Sequence, residues 1–183
     1  NTFAKPTNVD TSSRILCYDI RDLGKQLQPV GMLVVLDSVF NRIIRNRKLG
    51  KSTWVYIDEI YLLFQHEYSA NFLFTPWKRV RKYGACCTGL TQNVDDLLQS
   101  HTARTMLANS EFLVMLNQAA TDRAELANLL NISDNQLSYI TNVDSGRGLI
   151  KCGRAIVPFM NSFPQNRLYQ LMTTRPSEQM AEA

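Results

Sequence analysis

The sequence predicts an α/β fold with a mostly parallel sheet and flanking helices, and three features carry that prediction. The strand-like segments are continuous apolar runs, as strands buried on both faces require. Segments with helical spacing of apolar residues separate those runs, the order that βαβ crossovers produce. One run, Trp54-Val55-Tyr56-Ile57, stops abruptly at Asp58-Glu59. In parallel sheets, ligands bind at the carboxyl ends of the strands.

The elements follow in order. Arg14-Ile15-Leu16-Cys17-Tyr18-Asp19-Ile20 is a short apolar run between turn residues and is expected to be the first strand. From Leu27 to about Arg47, Met32, Leu36, Val39, Phe40 and Ile43 recur at helical spacing. Arg45, Arg47 and Lys48 precede Gly50, which suits a helix stop on the negative end of the dipole. Trp54–Ile57 is the second strand, and Ser69–Lys82 is a helix that Pro76 can divide. Ala85–Leu90 is the third apolar run, and after a helical stretch through Met106, Glu111–Leu116 is the fourth. Asp122 with Glu125, and Ser133 with Gln136, have the spacing of capping boxes that open two further helices. Asp144-Ser145-Gly146 predicts a turn, and Leu149-Ile150 with Ala155-Ile156-Val157 a final hairpin.

Composition limits the function classes. The chain has 183 residues, 45% of them apolar, so one domain with a real core is the default and no metal or disulfide staple is needed. Residues 1–176 are expected to form the domain and 177–183 a polar tail. A formal net charge of +4 is too small to argue for nucleic-acid binding by itself. The cations look scattered along the sequence. Cys17, Cys86, Cys87 and Cys152 form no CxxC pair, and adjacent Cys86 and Cys87 point to opposite faces of a strand. They are expected to be buried, reduced thiols of a cytosolic protein. The polar start, Asn1 to Asp10, is no signal peptide, and the apolar run Met32–Leu36 is far short of the roughly 20 residues a bilayer requires. A soluble piece of a longer polypeptide is the expectation.

Asp58 and Glu59 are the sharpest chemical signal. A nucleoside-triphosphate hydrolase needs one acid to hold Mg²⁺ and another to position or deprotonate the attacking water. Asp58 and Glu59 fit those roles in that order, and the same pair also fits a strand that ends in an acidic helix cap. Gln92, just past Ala85–Leu90, is placed to bond a γ-phosphate or the attacking water, or to cap the following helix beside Asn93. Arg81 and Lys82 precede the third run and Arg147 lies in Gly146-Arg147-Gly148. Such arginines can reach a phosphate from a neighbouring subunit, or simply be surface residues. His66 and His101 have no matched nucleophile and receive no role. No GxxxxGK[ST] occurs in the sequence, and Gly50-Lys51-Ser52 lacks both the earlier glycine and the preceding strand of a phosphate loop.

Several segments together resemble the carboxyl-terminal domain of VirB-four type conjugation ATPases. They are Val9-Asp10-Thr11-Ser12, Tyr18 to Leu23, Trp54 to Phe64, Arg81-Lys82-Tyr83-Gly84 and Thr91-Gln92-Asn93. Gly146 to Ile150, Arg154 to Phe159 and Thr173 to Glu178 extend the likeness over nearly the whole chain, in the version carried by Gram-positive conjugative elements. The resemblance implies a partial RecA-like P-loop fold without its Walker A segment. It also implies Mg-ATP hydrolysis, self-assembly, and docking to a type IV secretion channel at the cytoplasmic face of the cell membrane. By motif, Asp58 and Glu59 take the Walker B roles, with Asp58 reaching Mg²⁺ through water. Gln92 takes the γ-phosphate-sensing role, and Arg81 and Arg147 fall in later motifs. The parent is expected to be an ATPase that energises conjugative DNA transfer, and the chain alone to be inactive. An FtsK- or HerA-like DNA translocase, favoured by a basic stripe, and a non-catalytic secretion scaffold are the competing readings.

Overall fold

The structure is a computed structural model that describes residues 10–92 and 94–173. The tail 177–183 and the segment 174–178 lie outside the described residues. The chain forms two compact units, residues 1–91 and 92–183.

In the first unit the expected strand at 14–20 is absent; irregular chain there leads into a 3₁₀ turn, Arg21–Leu23. The chain at and just before this segment is tied to the helix that follows. The Arg42 guanidinium donates to the carbonyls of Thr11 and Ser13, and the Tyr18 and Ser38 hydroxyls lie 3.2 Å apart. Helix α1, Gly24–Lys48, spans 25 residues and ends where expected, with Arg45, Arg47 and Lys48 in its last turn and Gly50 at a φ of 68°. Over Gln26–Lys48 it is long and apolar enough to cross a membrane by length and composition alone. A count of uninterrupted apolar residues hides that, because polar side chains are spread along it. Leu36 and Ile43 are buried, and Phe40 meets Phe72 of α2 (Glu67–Trp77) at a ring separation of 6.1 Å. Pro76 sits in the last turn of α2, and the chain then takes a 3₁₀ turn, Val80–Tyr83.

Strand β1, Thr53–Ile57, pairs in parallel with β2, Ala85–Gly89, with Thr53 opposite Ala85 and Ile57 opposite Gly89. Burial alternates along β1, and Trp54 and Tyr56 are exposed. This pair is therefore covered on one face, although continuous apolar runs predicted cover on both. The four cysteines are free thiols, but the burial expected of them fails: the open face leaves Cys86 on β2 exposed, Cys87 is half-buried, and Cys17 and Cys152 are exposed elsewhere.

The second unit begins with α3 (Val94–Gln99) and α4 (His101–Ala108), the latter capped by the Ser100 hydroxyl accepting from the Ala103 amide. Strand β3, Phe112–Met115, pairs antiparallel with β4, Arg147–Cys152, which pairs antiparallel with β5, Ala155–Met160. Parallel pairing thus holds for β1 and β2 but not for β3. Between β3 and β4 lie α5 (Ala120–Leu130) and α6 (Asp134–Leu137), and α7 (Arg167–Met172) follows β5. The capping box of Ser133 and Gln136 is present. That of Asp122 is not: α5 starts at Ala120, so Asp122 sits inside its first turn. Val94, Leu98, Met115, Leu126, Leu130, Ile132, Ile140 and Leu149 form the core of this unit. Gly148 lets β4 pass close to β3, because a Cβ there would meet the Met115 carbonyl oxygen at 2.2 Å.

Candidate functional site

The carboxyl ends of β1 and β2 are laced together. The Leu90 amide donates to the Ile57 carbonyl (2.8 Å), and the Ile60 amide donates back to the Leu90 carbonyl (2.9 Å). Asp58 and Glu59 are the two residues held inside that lacing, between β1 and the 3₁₀ turn Ile60–Phe64. Ile60 and Leu63 of the turn are buried and anchor it. The Ile60 side chain reaches over Gly89, where a Cβ would stand 2.5 Å from its Cδ1. Glycine at the end of β2 leaves room for the anchor.

Glu59 has a left-handed backbone, φ 47° and ψ 46°. The other non-glycine residues with positive φ among those described are Asn131 and Asn142. Asparagine tolerates that region, whereas for glutamate it costs on the order of 1 kcal/mol or more. Its amide donates to the Asp58 carboxylate, Oδ1, at 3.0 Å. Asp58 is exposed and Glu59 half-buried, and no side-chain cap closes the turn. The carboxylate pair is therefore not acting as a helix cap.

No group of three or more His, Cys, Asp or Glu side chains converges as a metal site among the described residues. Asp58 and Glu59 as a pair fit Mg²⁺, which keeps most of its water and takes one or two carboxylates plus substrate phosphate.

Gln92 lies three residues beyond the end of β2 and is exposed. Arg147 opens β4, and its guanidinium sits 3.6 Å from the Asp144 carboxylate. Antiparallel register puts that end of β4 at the carboxyl end of β3. Arg81 lies in the turn just before β2. It stands at the amino ends of the parallel pair, with a five-residue strand, roughly 15 Å, between it and the carboxylates. Arg81 is thus out of reach of a phosphate held by Asp58 and Glu59 of the same chain. In the second unit a cavity of about 400 Å³ is lined by Leu98, Arg104, Glu125, Asn128 and Leu129, none of them a site residue that the sequence singled out.

The cations do not stay scattered once the chain folds. Arg45, Arg47, Lys48 and Lys51 at the end of α1 meet Lys78, Arg79, Arg81 and Lys82 at the start of β2, and all eight are exposed. The Arg47 guanidinium lies over the Tyr83 ring at 5.5 Å, and the Thr53 amide donates to the Gly84 carbonyl at 3.3 Å. Two basic stretches some thirty residues apart become one edge. Following the βαβ register forward from the two runs would have found it; net charge could not.

The family model of the TraG P-loop domain matches residues 8–156. The solved structure of VirB4 of Thermoanaerobacter pseudethanolicus superposes with a TM-score of 0.77 at 27% identity, over 88% of this chain and 45% of that one. The chain thus spans under half the length of that relative. No curated protein matches it.

Proposed function

Since the chain belongs to the TraG P-loop domain family, a nucleotide-binding α/β fold similar to VirB4, we propose that it supplies the Walker B part of an ATP-hydrolysing motor that energises conjugative transfer through a type IV secretion machine. The supporting observation is Glu59, an acid kept in a left-handed turn at the carboxyl end of a parallel strand. Strain of that kind is retained where a side chain must be aimed. In this reading Asp58 holds Mg²⁺ through its water shell, and Glu59 positions or deprotonates the attacking water. Gln92 bonds the γ-phosphate. Arg147 lies at a strand end of the same kind, whereas Arg81 has only a neighbouring chain's nucleotide within its scope. A homo-oligomeric parent, working at the cytoplasmic face of the membrane, completes the proposal. With no GxxxxGK[ST] in its 183 residues, the chain alone is expected to bind Mg-ATP weakly. A low-micromolar dissociation constant by calorimetry, about −8 kcal/mol, would contradict that.

The decisive experiment uses a parent chain that carries the phosphate loop. Glu59→Gln is expected to lower turnover about 10²–10⁴-fold, roughly 3–5 kcal/mol of barrier, and to leave ATP affinity unchanged. Asp58→Asn is expected to weaken Mg²⁺-dependent binding as well as turnover. Near wild-type hydrolysis by Glu59→Gln would remove the water-positioning role of Glu59 and with it the main support of the motor reading.

A further inference from the structure

The turn before β4 fixes one arginine more tightly than an exposed side chain needs. Arg147 stands between two glycines, and each is required by a carbonyl oxygen at the end of a neighbouring strand. Gly146 has a φ of 84°, and a Cβ on it would meet the Asn161 carbonyl oxygen, just past β5, at 2.1 Å. A Cβ on Gly148 would meet the Met115 carbonyl oxygen at 2.2 Å and the Phe159 ring at 2.9 Å. The Asn161 amide donates to the Gly146 carbonyl at 2.8 Å and ties the end of β5 to the turn. Backbone packed this closely on both sides leaves the Cα of Arg147 little freedom.

The loop leading into the turn is fastened as well. Just past the carboxyl end of β3, the Gln118 amide donates to the Ile140 carbonyl at 2.9 Å, and the Asn117 side-chain oxygen accepts from the Val143 amide at 3.3 Å. The Arg147 amide donates to the Asp144 carbonyl at 3.3 Å. With its backbone held this way, Arg147 keeps freedom only in its side chain. There the Asp144 carboxylate stands 3.6 Å from the guanidinium, with 49% of the Arg147 side chain and 83% of the Asp144 side chain exposed. A single wet ion pair of this kind adds almost nothing to stability, and backbone bonds already close the turn. Stability therefore gives no reason for the carboxylate. Orienting a long, rotamer-rich side chain before its ligand arrives does.

We propose that Asp144 is a positioning residue for Arg147. Its carboxylate, on a turn that Asn117 and the two glycines hold in place, presents the guanidinium at the carboxyl end of β3 for a phosphate. The consequence for hydrolysis rests on the ATPase reading; the restraint of the side chain does not. That restraint is read on the chain itself from NMR relaxation of the Arg147 Nε–H, assigned by its loss in Arg147→Lys. The group is expected to be ordered in the wild type and as mobile as that of exposed Arg154 in Asp144→Ala, with Asp144→Glu restoring much of the order. In a parent chain that carries the phosphate loop, Asp144→Ala is expected to lower kcat about 2- to 5-fold and leave KM unchanged, since one exposed pair can supply no more. In an Arg147→Ala background the same substitution should change nothing further, because its effect passes through the arginine. A loss that persists in that background shows a structural role and overturns the proposal. So does equal mobility of the Arg147 Nε–H with and without Asp144, or an undiminished kcat in Asp144→Ala where Arg147→Ala is impaired. An ordered guanidinium with wild-type turnover in Arg147→Ala upholds the positioning and removes the arginine from the ATPase reading instead.

Discussion

The two sheets are made of similar short apolar strands, yet they organise opposite things. β3, β4 and β5 pair antiparallel and close over a core in which Leu149 and Ile140 are completely buried. β1 and β2 pair in parallel, leave one face open, and carry carboxylates at one end and cations at the other. An antiparallel sheet can return on itself through tight turns and complete its own packing. Parallel strands need crossovers, so all their carboxyl ends fall on one edge, and loops of like position meet there. The antiparallel sheet is where the molecule is anchored; the parallel pair is where it is chemically polar.

The largest effect that could break this contrast is a cavity in the antiparallel unit. Leu149→Ala removes a side chain with no exposed surface from the centre of that core. It is expected to cost about 2–5 kcal/mol. Val55→Ala on β1, where the residue is only half-buried, should cost less, about 1 kcal/mol. Urea denaturation of the two variants checks the ordering. Equal losses would mean that the parallel pair is packed as completely as its neighbour.

The same contrast explains what the sequence could reveal. The hairpin of β4 and β5, the capping box of Ser133 and the strand ending at Asp58 all rest on local signals within a few residues, and each was legible. The segment 14–20 was not, because a short apolar run does not say whether a neighbouring strand will pair with it, and its Tyr18 hydroxyl lies instead beside that of Ser38 on α1. Capping by Asp122 failed on a shift of three residues in where α5 begins. The face exposed at Trp54 and Tyr56 was misread because a continuous apolar run does not say whether anything lies over its second face. Glu59 was legible as an acid at a strand end, but its left-handed backbone was not, since nothing in an Asp-Glu pair requires φ above zero. The basic edge needed the crossover register rather than a charge count.

A smaller effect sharpens the contrast from within β2. Cys86 and Cys87 are neighbours on opposite faces, and burial on the covered side, together with the adjacent Cys86, pushes the Cys87 thiol up to about 11. Cys86 faces the open side. Iodoacetamide near pH 8 is expected to label Cys86 quickly and Cys87 slowly, because the thiolate is the reactive form. The linkage has a definite sign. Folding holds the Cys87 proton more tightly than the unfolded chain does, so its contribution is whole below about pH 9. It is lost as pH rises towards about 11, by about 2–3 kcal/mol at most. Denaturation midpoints between those pH values should therefore fall less in Cys87→Ala than in the wild type. Equal falls would show that both faces of β2 are wet.

The smallest effect concerns the carboxylate end itself. Glu59 is held at φ 47°, a conformation that glycine adopts freely. Glu59→Gly is expected to relieve on the order of 1–2 kcal/mol of backbone strain. Against that stands the extra freedom glycine has in the unfolded chain, about 0.5–1 kcal/mol. The strain term wins, so a net gain of roughly 0.5–1 kcal/mol is expected. Glu59→Asn should move the same way by less, since asparagine already occupies this region at positions 131 and 142. The Glu59 amide bond to Asp58 belongs to the backbone and survives both changes. Stability that rises when the acid is removed would mean that folding does not ask for glutamate there, which leaves the water-positioning role as its reason. If Glu59→Gly instead lowers the urea midpoint, the side chain is holding the turn together. Its place beside Asp58 would then be architecture rather than chemistry.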